Sequence, residues 1–157
     1  QVMEVQREAY IDELTETRNR RYFYEQLAFL QADGVVLLDI DRLKLLNDRF
    51  GDEAGNEVLR ACARIVKSCF RENDVVCRYG GDVFAVVCHD IPQAEFIRCC
   101  RESVEETRKI SIPQLEGTRA TISVGAHYGR TKVESGLLLA EHMLNIAKEK
   151  GDTFRID

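Results

Sequence analysis

Residues 71 to 88 read Arg-Glu-Asn-Asp-Val-Val-Cys-Arg-Tyr-Gly-Gly-Asp-Val-Phe-Ala-Val-Val-Cys, and they decide the fold because two short apolar runs flank a Gly-Gly-Asp turn. Valine, phenylalanine and cysteine favour a pleated, buried surface, so this stretch predicts a β-hairpin. Gly80 and Gly81 can adopt the positive φ angles that tight hairpin turns require. Asp82 is then expected at the hairpin tip, where a phosphate or metal ion can approach the backbone. An ordinary solvated turn is the alternative.

The composition indicates one globular domain with its own core. The chain has 157 residues, of which 45% are hydrophobic and 31% charged, and it has only two prolines. No apolar run approaches the roughly 20 residues of a membrane-spanning helix, and no secretory signal pattern opens the chain. We therefore expect a cytoplasmic domain that makes no membrane contact itself, in a parent protein that can be membrane-anchored.

The net charge of -5 and the pattern of the six cysteines argue against two classes of function. Binding a nucleic acid polymer requires a basic face, whereas a small nucleotide needs only a few local cations. The cysteines form no C-x-x-C pair and have no histidine at metal-site spacing. They are predicted to be reduced thiols in the core and not a zinc or disulfide framework.

An apolar run of strand length, residues 35 to 41, ends in two carboxylates and is the expected central strand. Asp39 and Asp41 are two residues apart, so on an extended strand their side chains would share one face. Two adjacent negative charges there favour a divalent cation. Asp41 can instead cap the helix expected over residues 42 to 50, which makes Asp39 the better candidate metal ligand.

The hydrophobic periodicity of the remaining chain predicts a βαββαβ order. Helices are expected over residues 20 to 31, after Gly51, over 93 to 109 and over 137 to 150, and a buried strand over 120 to 128. This order predicts a single α+β domain in which helices pack on one face of a mainly antiparallel sheet and Asp39 and Asp82 converge. Residues 1 to 13 are predicted to form a connector helix that pairs with a second copy, and residues 14 to 157 to form the domain.

Many short motifs follow one another along the chain. They are Asp12-Glu13-Leu14-Thr15, Asn19-Arg20-Arg21 with Phe23, Asp39-Ile40-Asp41, Lys44, Asn47-Asp48, Gly51, Gly55, Arg78-Tyr79-Gly80-Gly81-Asp82 with Phe84, Ser123-Val124-Gly125, Ala140, Ala147-Lys148 and Gly151. In this order they resemble a GGDEF domain, the catalytic module of diguanylate cyclases. The resemblance implies a ferredoxin-like fold similar to the palm of nucleotidyl cyclases and polymerases.

The resemblance also implies a reaction and a cofactor. In such enzymes two domains each present one GTP, and the 3'-hydroxyl of one GTP attacks the α-phosphate of the other and releases pyrophosphate. By resemblance, Asp39, Asp82 and the Ile40 carbonyl would hold Mg²⁺ (or Mn²⁺), which stabilises the developing charge. The partners implied are GTP or cyclic diguanylate, and a homodimer formed through the nucleotide or the N-terminal helix.

Five further positions match residues that contact the nucleotide in the family. Lys44 lies in the segment whose backbone amides would touch the phosphates, and Arg78 and Lys148 would complement the phosphate charge. Asn47 and Asn56 occupy the guanine-contacting positions.

Three departures from the family pattern indicate a degenerate catalytic site. Val83 replaces the glutamate of Gly-Gly-Asp-Glu-Phe and can neither bind a cation nor accept a proton. Asn56 replaces an aspartate that accepts hydrogen bonds from guanine, and Asp152 replaces a phosphate-binding arginine. We therefore expect no intact set of catalytic residues, with Arg78 and Lys148 serving catalysis if the domain is active.

Arg71 and Asp74 stand where the family has its inhibitory Arg-x-x-Asp, which implies a cyclic diguanylate site there. Arginine can donate to guanine O6 and N7, while aspartate can accept from N1 and N2. A charged helix end in a solvated loop is the alternative. Three functions thus stay open: a nucleotide-binding regulatory module, an active or altered-specificity cyclase, and a dimerisation module without a ligand.

Overall fold

The computed structural model of the chain describes residues 9 to 157, which form one sheet covered by helices. The strands are β1 (Ile11–Asp12), β2 (Thr17–Arg18), β3 (Gln31–Ile40), β4 (Val75–Arg78), β5 (Val83–Cys88), β6 (Ile122–Lys132) and β7 (Thr153–Ile156). Their spatial order is β1-β2-β4-β5-β3-β6-β7, with parallel pairing at β2–β4 and β6–β7 and antiparallel pairing elsewhere. The predicted α+β class and βαββαβ order are confirmed.

The helices are α1 (Arg20–Tyr22), α2 (Leu43–Phe50), α3 (Asp52–Cys69), α4 (Gln93–Lys109) and α5 (Val133–Lys150). The helix predicted over residues 20 to 31 is shorter than expected. After α1 the chain widens into a π-helical turn, Phe23–Leu27, where the Ala28 amide donates to the Phe23 carbonyl at 2.9 Å. It then enters β3 at Gln31, because Gln31 already pairs with Lys132 of β6.

The predicted hairpin is present as β4 and β5, with Val75 opposite Val87 and Arg78 opposite Phe84. The expectation that its glycines adopt positive φ angles is wrong, since neither Gly80 nor Gly81 has one. The Tyr79 and Gly80 amides both donate to the Val83 carbonyl, at 2.8 and 3.0 Å, and this closes a turn that needs no left-handed residue.

The central strand β3 begins four residues before the predicted start at Val35. Its register shifts between Ala32 and Gly34, where Asp33 alone lies opposite two residues of β6, Gly129 and Arg130. The bulge is therefore in β6, and the Asp33-Gly34 pair continues β3 and is not a break before it. A Cβ atom on Gly34 would lie 2.3 Å from the Phe96 ring. Glycine is therefore required here by the close packing of α4 on the sheet.

Helices cover both faces of the sheet, which corrects the prediction of a single covered face. On one face Val36 and Leu38 pack with residues of α3 and α4, and on the other Val35 and Leu37 pack with the π-helical turn and α5. Side chains alternate along a strand, so Asp39 points to the same face as Leu37, towards α5.

The six cysteines are free thiols, five of them buried and Cys69 half-buried. Burial raises the pKa of the Cys62 and Cys77 thiols to about 12, which keeps them protonated. The prediction of core thiols is confirmed.

Only the end of the predicted connector helix over residues 1 to 13 can be compared, because residues 1 to 8 lie outside the described part. Ala9 and Tyr10 are helical, but Ile11–Asp12 form β1, which pairs antiparallel with Thr17–Arg18. The helix therefore ends earlier than predicted. Within residues 9 to 157, none of the helices combines the length and the apolar character that crossing a bilayer requires.

Candidate nucleotide site

Asp39 lies at the centre of the sheet, between Val83 of β5 and Ser123 of β6, with which it is in direct register. Its side chain is only 9% exposed, and Lys148 of α5 approaches its Oδ2 atom to 2.8 Å. The carbonyl of Asp82 accepts a hydrogen bond from the Ile40 amide at 3.1 Å. The hairpin tip and the end of β3 thus converge as predicted.

A close contact between α5 and β6 sets the position of Lys148. A Cβ atom on Gly125 would lie 2.1 Å from the Leu144 amide nitrogen and 2.3 Å from the Ala140 carbonyl oxygen. Since only glycine leaves this room, α5 packs directly on the backbone of β6. Lys148 follows Leu144 by about one helical turn and therefore reaches the Asp39 carboxylate.

The pKa of Asp39 is raised from its ordinary value to about 6, first because burial disfavours the ionised carboxylate. Lys148 lowers the pKa by donating to Asp39, and the nearby Asp82 charge raises it. The pKa of Lys148 is itself raised, first by this hydrogen bond. Burial is the largest cause of the pKa shift for Asp39, because that side chain is almost completely buried. For Lys148 the hydrogen bond is the largest cause, because its side chain is 48% exposed and keeps much of its hydration.

This shift predicts that Asp39→Asn stabilises the domain at pH 8 but not at pH 4. The raised folded-state pKa means that Asp39 lowers stability as pH rises from about 4, its unfolded pKa, to about 6. At pH 8 the neutral amide should raise the free energy of unfolding by on the order of 2 kcal/mol. Melting curves at both pH values measure this, with the exposed Asp48→Asn as the matched control. A lower melting temperature for Asp39→Asn at pH 8 would contradict the prediction.

The residues around Asp39 offer few ligands for a divalent metal. One observation favours a cation: Asp39 Oδ1 is buried and has no hydrogen-bond partner. However, valine occupies position 83 beside it. In the part of the chain that the structure describes, no three His, Cys, Asp or Glu side chains come close enough to hold one ion. Asp39 and Asp82, with the Ile40 carbonyl, are the donors available here.

Beside this centre lies an open cleft of about 610 Å³. Its lining includes five residues predicted to contact the nucleotide or the metal, which are Lys44, Asn47, Asn56, Arg78 and Asp82. They come from α2, α3 and the hairpin. The fold therefore brings these five predicted site residues to one surface.

Two side chains at the base-contacting positions are held in different ways. A Cβ atom on Gly55 would lie 1.6 Å from Asn47 Oδ1, so this glycine makes room for Asn47 to pack against α3. The Asn47 Oδ1 atom is buried there and has no hydrogen-bond partner. Asn56 donates to the exposed Glu53 over a long distance of 3.4 Å. Asn47 is thus fixed by packing, while Asn56 is weakly held.

Arg78 is joined to a residue that had no predicted role in the site. Its Nη1 donates to both carboxylate oxygens of Asp12 at 3.3 Å, and its Nη2 donates to the Gly81 carbonyl at 2.8 Å. Asp12 also accepts hydrogen bonds from the Thr15 amide and hydroxyl. The Asp-x-x-Thr spacing is typical of such a local turn, but nothing in it identifies Arg78 as the long-range partner.

Asp41 neither caps α2 nor joins Asp39, so both interpretations of its spacing are wrong. Its carboxylate accepts from the hydroxyls of Thr121 and Ser123, at 2.7 and 2.6 Å, and from the Asp152 amide at 2.8 Å. The cap position of α2 is Arg42, in the left-handed region with a φ of 53°. Asp41 instead fastens the end of β3 to the turn that follows α5.

The Asp152 side chain, which replaces the family's arginine, is paired with Arg108 of α4 at 2.9 Å. Its negative charge is therefore largely offset. The sequence gives no sign of this pair, because 44 residues separate its members.

Arg71 and Asp74 form a closed ion pair at a separate position. Asp74 Oδ1 accepts from Arg71 Nη2 at 2.8 Å, and Asp74 Oδ2 from the Arg71 amide at 2.8 Å and Nε at 3.2 Å. Arg71 also donates to the carbonyls of His89 and Asp90. The Asp74 side chain is fully buried, so in this conformation it is not accessible to a base.

Comparison with known proteins identifies the family. Residues 9 to 153 match the model of the diguanylate cyclase GGDEF domain. Diguanylate cyclase DgcM of Escherichia coli is 32% identical over 151 residues, covering 91% of this chain and 37% of the relative. Response regulator PleD of Caulobacter vibrioides is 43% identical over 98 residues, covering 57% of this chain and 22% of the relative. The chain thus spans little more than a third of these relatives at most.

Solved structures agree with the fold. The coiled coil and GGDEF domain of DgcB from Caulobacter crescentus, in complex with c-di-GMP, superposes with a TM-score of 0.90 at 22% identity, covering 99% of this chain and 90% of that one. The GGDEF domain of TpbB (YfiN) from Pseudomonas aeruginosa gives a TM-score of 0.81 at 27% identity, covering 94% of each chain. The chain therefore belongs to the GGDEF family of diguanylate cyclase domains.

Proposed function

We propose that this domain is a catalytically degenerate GGDEF module of cyclic-dinucleotide signalling that binds a guanine nucleotide and regulates a partner. One observation carries the proposal. Predicted nucleotide contacts line one cleft, while the residue in register with Asp39 is Val83, which has no carboxylate. The residues for nucleotide binding are thus largely present, whereas a carboxylate of the catalytic centre is missing. The naming of DgcM, a relative, as a diguanylate cyclase supports the choice of a guanine nucleotide.

Each nucleotide contact in this proposal follows from its place in the cleft. Lys44 is exposed near the start of α2 and adds positive charge beside the phosphates. Asn47, held by Gly55, presents a fixed amide to the base. Arg78 supplies a further cation in the cleft, whereas Lys148 does not line the cleft and is paired with Asp39 beside it. Should a metal ion accompany the nucleotide, Mg²⁺ or Mn²⁺ would be held by Asp39, Asp82 and the Ile40 carbonyl.

The proposal predicts that Asn56→Asp tightens the binding of GTP but not of ATP. A carboxylate accepts from both N1 and N2 of guanine, whereas the weakly held Asn56 amide also presents a donor to them. We expect GTP affinity to rise roughly tenfold, and Lys44→Gln to lower it by about threefold to tenfold. Fluorescent-nucleotide titration measures both, with the exposed Lys150→Gln as the matched control. If neither GTP nor ATP binds the wild type at high micromolar concentration, the proposal fails.

A second ligand position is favoured by a cleft of about 490 Å³ that is lined by Arg71 and Asp74 together with Arg18, Lys67 and Tyr22. We propose that cyclic diguanylate, the ligand named for the DgcB complex, binds at this position. Asp74 then acts by holding Arg71 and not by touching guanine, since its carboxylate is buried. The ligand must displace carbonyl groups of His89 and Asp90 from Arg71.

This second site predicts that Arg71→Ala weakens cyclic diguanylate binding by roughly 5 to 150-fold, since a bidentate arginine contact to guanine is worth about 1 to 3 kcal/mol. Asp82→Ala should leave the affinity unchanged. Asp74→Asn, which preserves shape better than alanine, should weaken binding less than Arg71→Ala. Isothermal titration measures the affinities, and melting temperatures show whether each variant is folded. No binding by the wild type, or loss of binding through Asp82→Ala alone, would contradict the assignment.

Four statements stay predictions. They are the cytoplasmic location, the homodimer, the connector role of residues 1 to 13 and the domain bounds of residues 14 to 157. A weak cyclase and a dimerisation module without a ligand remain the competing functions. The first predicts product from GTP, and the second predicts no response to any nucleotide.

A further inference from the structure

We propose that Lys148 occupies the cation position at Asp39, so that this domain takes up divalent metal only weakly and binds its nucleotide independently of Mg²⁺. The nucleotide part of this inference rests on the proposed function, whereas the metal part concerns the free protein. The contact that carries it joins Lys148 Nζ and Asp39 Oδ2 at 2.8 Å.

The local charges favour this assignment. The ammonium group of Lys148 interacts with the charges of Asp39, Asp82 and Asp41, and its hydrogen bond to Asp39 is the largest of these interactions. A Mg²⁺ ion requires near-octahedral oxygen ligands and is usually held by carboxylates together with phosphates. With an ammonium group already paired to Asp39, the centre attracts a divalent cation less than the same carboxylates would without it.

The neighbouring side chain removes another ligand. Val83 is in register with Asp39 and packs against the core beneath α5. A glutamate at this position would bring a second carboxylate to the same face of the sheet. Valine offers no oxygen, so the buried Asp39 Oδ1 has no metal-binding neighbour at this position.

The backbone keeps Lys148 near this position. Gly125 allows α5 to pack directly on β6 at Ala140 and Leu144, which lie about two turns and one turn before Lys148. The backbone of Lys148 therefore has a fixed position, from which its ammonium group reaches Asp39. The competing arrangement is one in which Lys148 swings to the phosphates and leaves Asp39 to a metal.

Titration of the free domain with Mn²⁺, followed by the electron paramagnetic resonance signal of the unbound ion, separates these arrangements. We expect the wild type to bind Mn²⁺ only in the millimolar range or more weakly. Lys148→Met and Val83→Glu should each tighten binding by about tenfold or more, because each adds one net negative charge to the centre. Lys150→Met is the matched control for Lys148→Met and should behave like the wild type. Val83→Gln is the matched control for Val83→Glu and should tighten binding much less, because it adds an oxygen but no charge.

Nucleotide binding provides the second readout. The affinity of the wild type for fluorescent GTP should change by less than about threefold between excess EDTA and excess Mg²⁺, whereas that of Val83→Glu should change by more than about tenfold. Micromolar Mn²⁺ binding by the wild type, or unchanged Mn²⁺ affinity in Lys148→Met, would overturn the inference. If GTP binds under neither condition, the proposed function fails, but the Mn²⁺ titration still decides whether Lys148 excludes the metal. Lys148 is half exposed, so its substitution should leave a folded protein even if Val83→Glu does not.

Discussion

Given GTP and Mg²⁺, the purified domain is expected to form cyclic diguanylate at least about 1,000-fold more slowly than DgcM assayed beside it. The reason is local: Val83 stands in register with Asp39, and Lys148 already pairs with that carboxylate. The centre therefore lacks the carboxylate at position 83 that would help to bind a cation or accept a proton where charge develops in the reaction. Chromatography of the nucleotide products measures the rate. Robust product formation with Mg²⁺ or Mn²⁺ would show that the degenerate assignment is wrong.

Restoring the glutamate alone should recover little of this rate. In Val83→Glu the carboxylate returns, but Asn56 still presents a donor where the family has only acceptors, and position 152 still provides no cation for the phosphates. Losses within one site are not independent. Adding Asn56→Asp and Asp152→Arg should recover more. The last change also breaks the pair with Arg108 and places two guanidinium groups together, so stability must be checked by melting temperature. Full activity from Val83→Glu alone would show that the other two positions matter less than we infer.

Gly125→Ala is expected to unfold the domain or to lower its stability by more than about 4 kcal/mol. The added Cβ would approach the Leu144 amide nitrogen to 2.1 Å and the Ala140 carbonyl oxygen to 2.3 Å, and neither backbone atom can move without displacing α5. Circular dichroism during urea unfolding measures the loss.

A matched control for this prediction is Gly117→Ala. A Cβ on Gly117 has no neighbour within 4 Å, although its φ of 88° makes alanine strained there. Its cost should therefore be limited to about 1 to 3 kcal/mol of backbone strain. Equal costs for the two variants would mean that α5 can move away from β6 at little expense.

The hairpin and the central strand can be predicted because they are rich in β-branched residues, which favour buried strands wherever they occur. Valine and cysteine on both sides of a Gly-Gly-Asp turn leave few alternatives to a buried hairpin. The start of β3 could not be predicted, since Gly34 reads as a break until the Phe96 ring of α4 is known to need its space. A glycine required by packing and a glycine required by a turn look alike in the sequence.

The residues of the candidate site could be predicted from the sequence, but the ion pairs and hydrogen bonds between them could not. Resemblance to the family supplied Lys44, Asn47 and Asn56, and the fold places them in one cleft. The ion pairs of Arg78 with Asp12 and of Arg108 with Asp152 join residues 66 and 44 positions apart, a distance at which charge patterning gives no signal. For the same reason the sequence indicates a helix cap for Asp41, whose hydroxyl partners are Thr121, just before β6, and Ser123 of β6.

The link between Asp12 and Arg78 has a mechanical consequence. Tyr10 and Asp12 are the second and fourth residues after the undescribed residues 1 to 8, and the Tyr10 carbonyl accepts from the Asn19 amide at 2.9 Å. From Asp12 two successive links lead to the hairpin tip, the first between Asp12 and Arg78 and the second between Arg78 and the Gly81 carbonyl. A displacement of Asp12 would therefore act, through Arg78, on the turn that carries Asp82. Strand β1 and the guanidinium group of Arg78 would then couple the start of the domain to the hairpin tip.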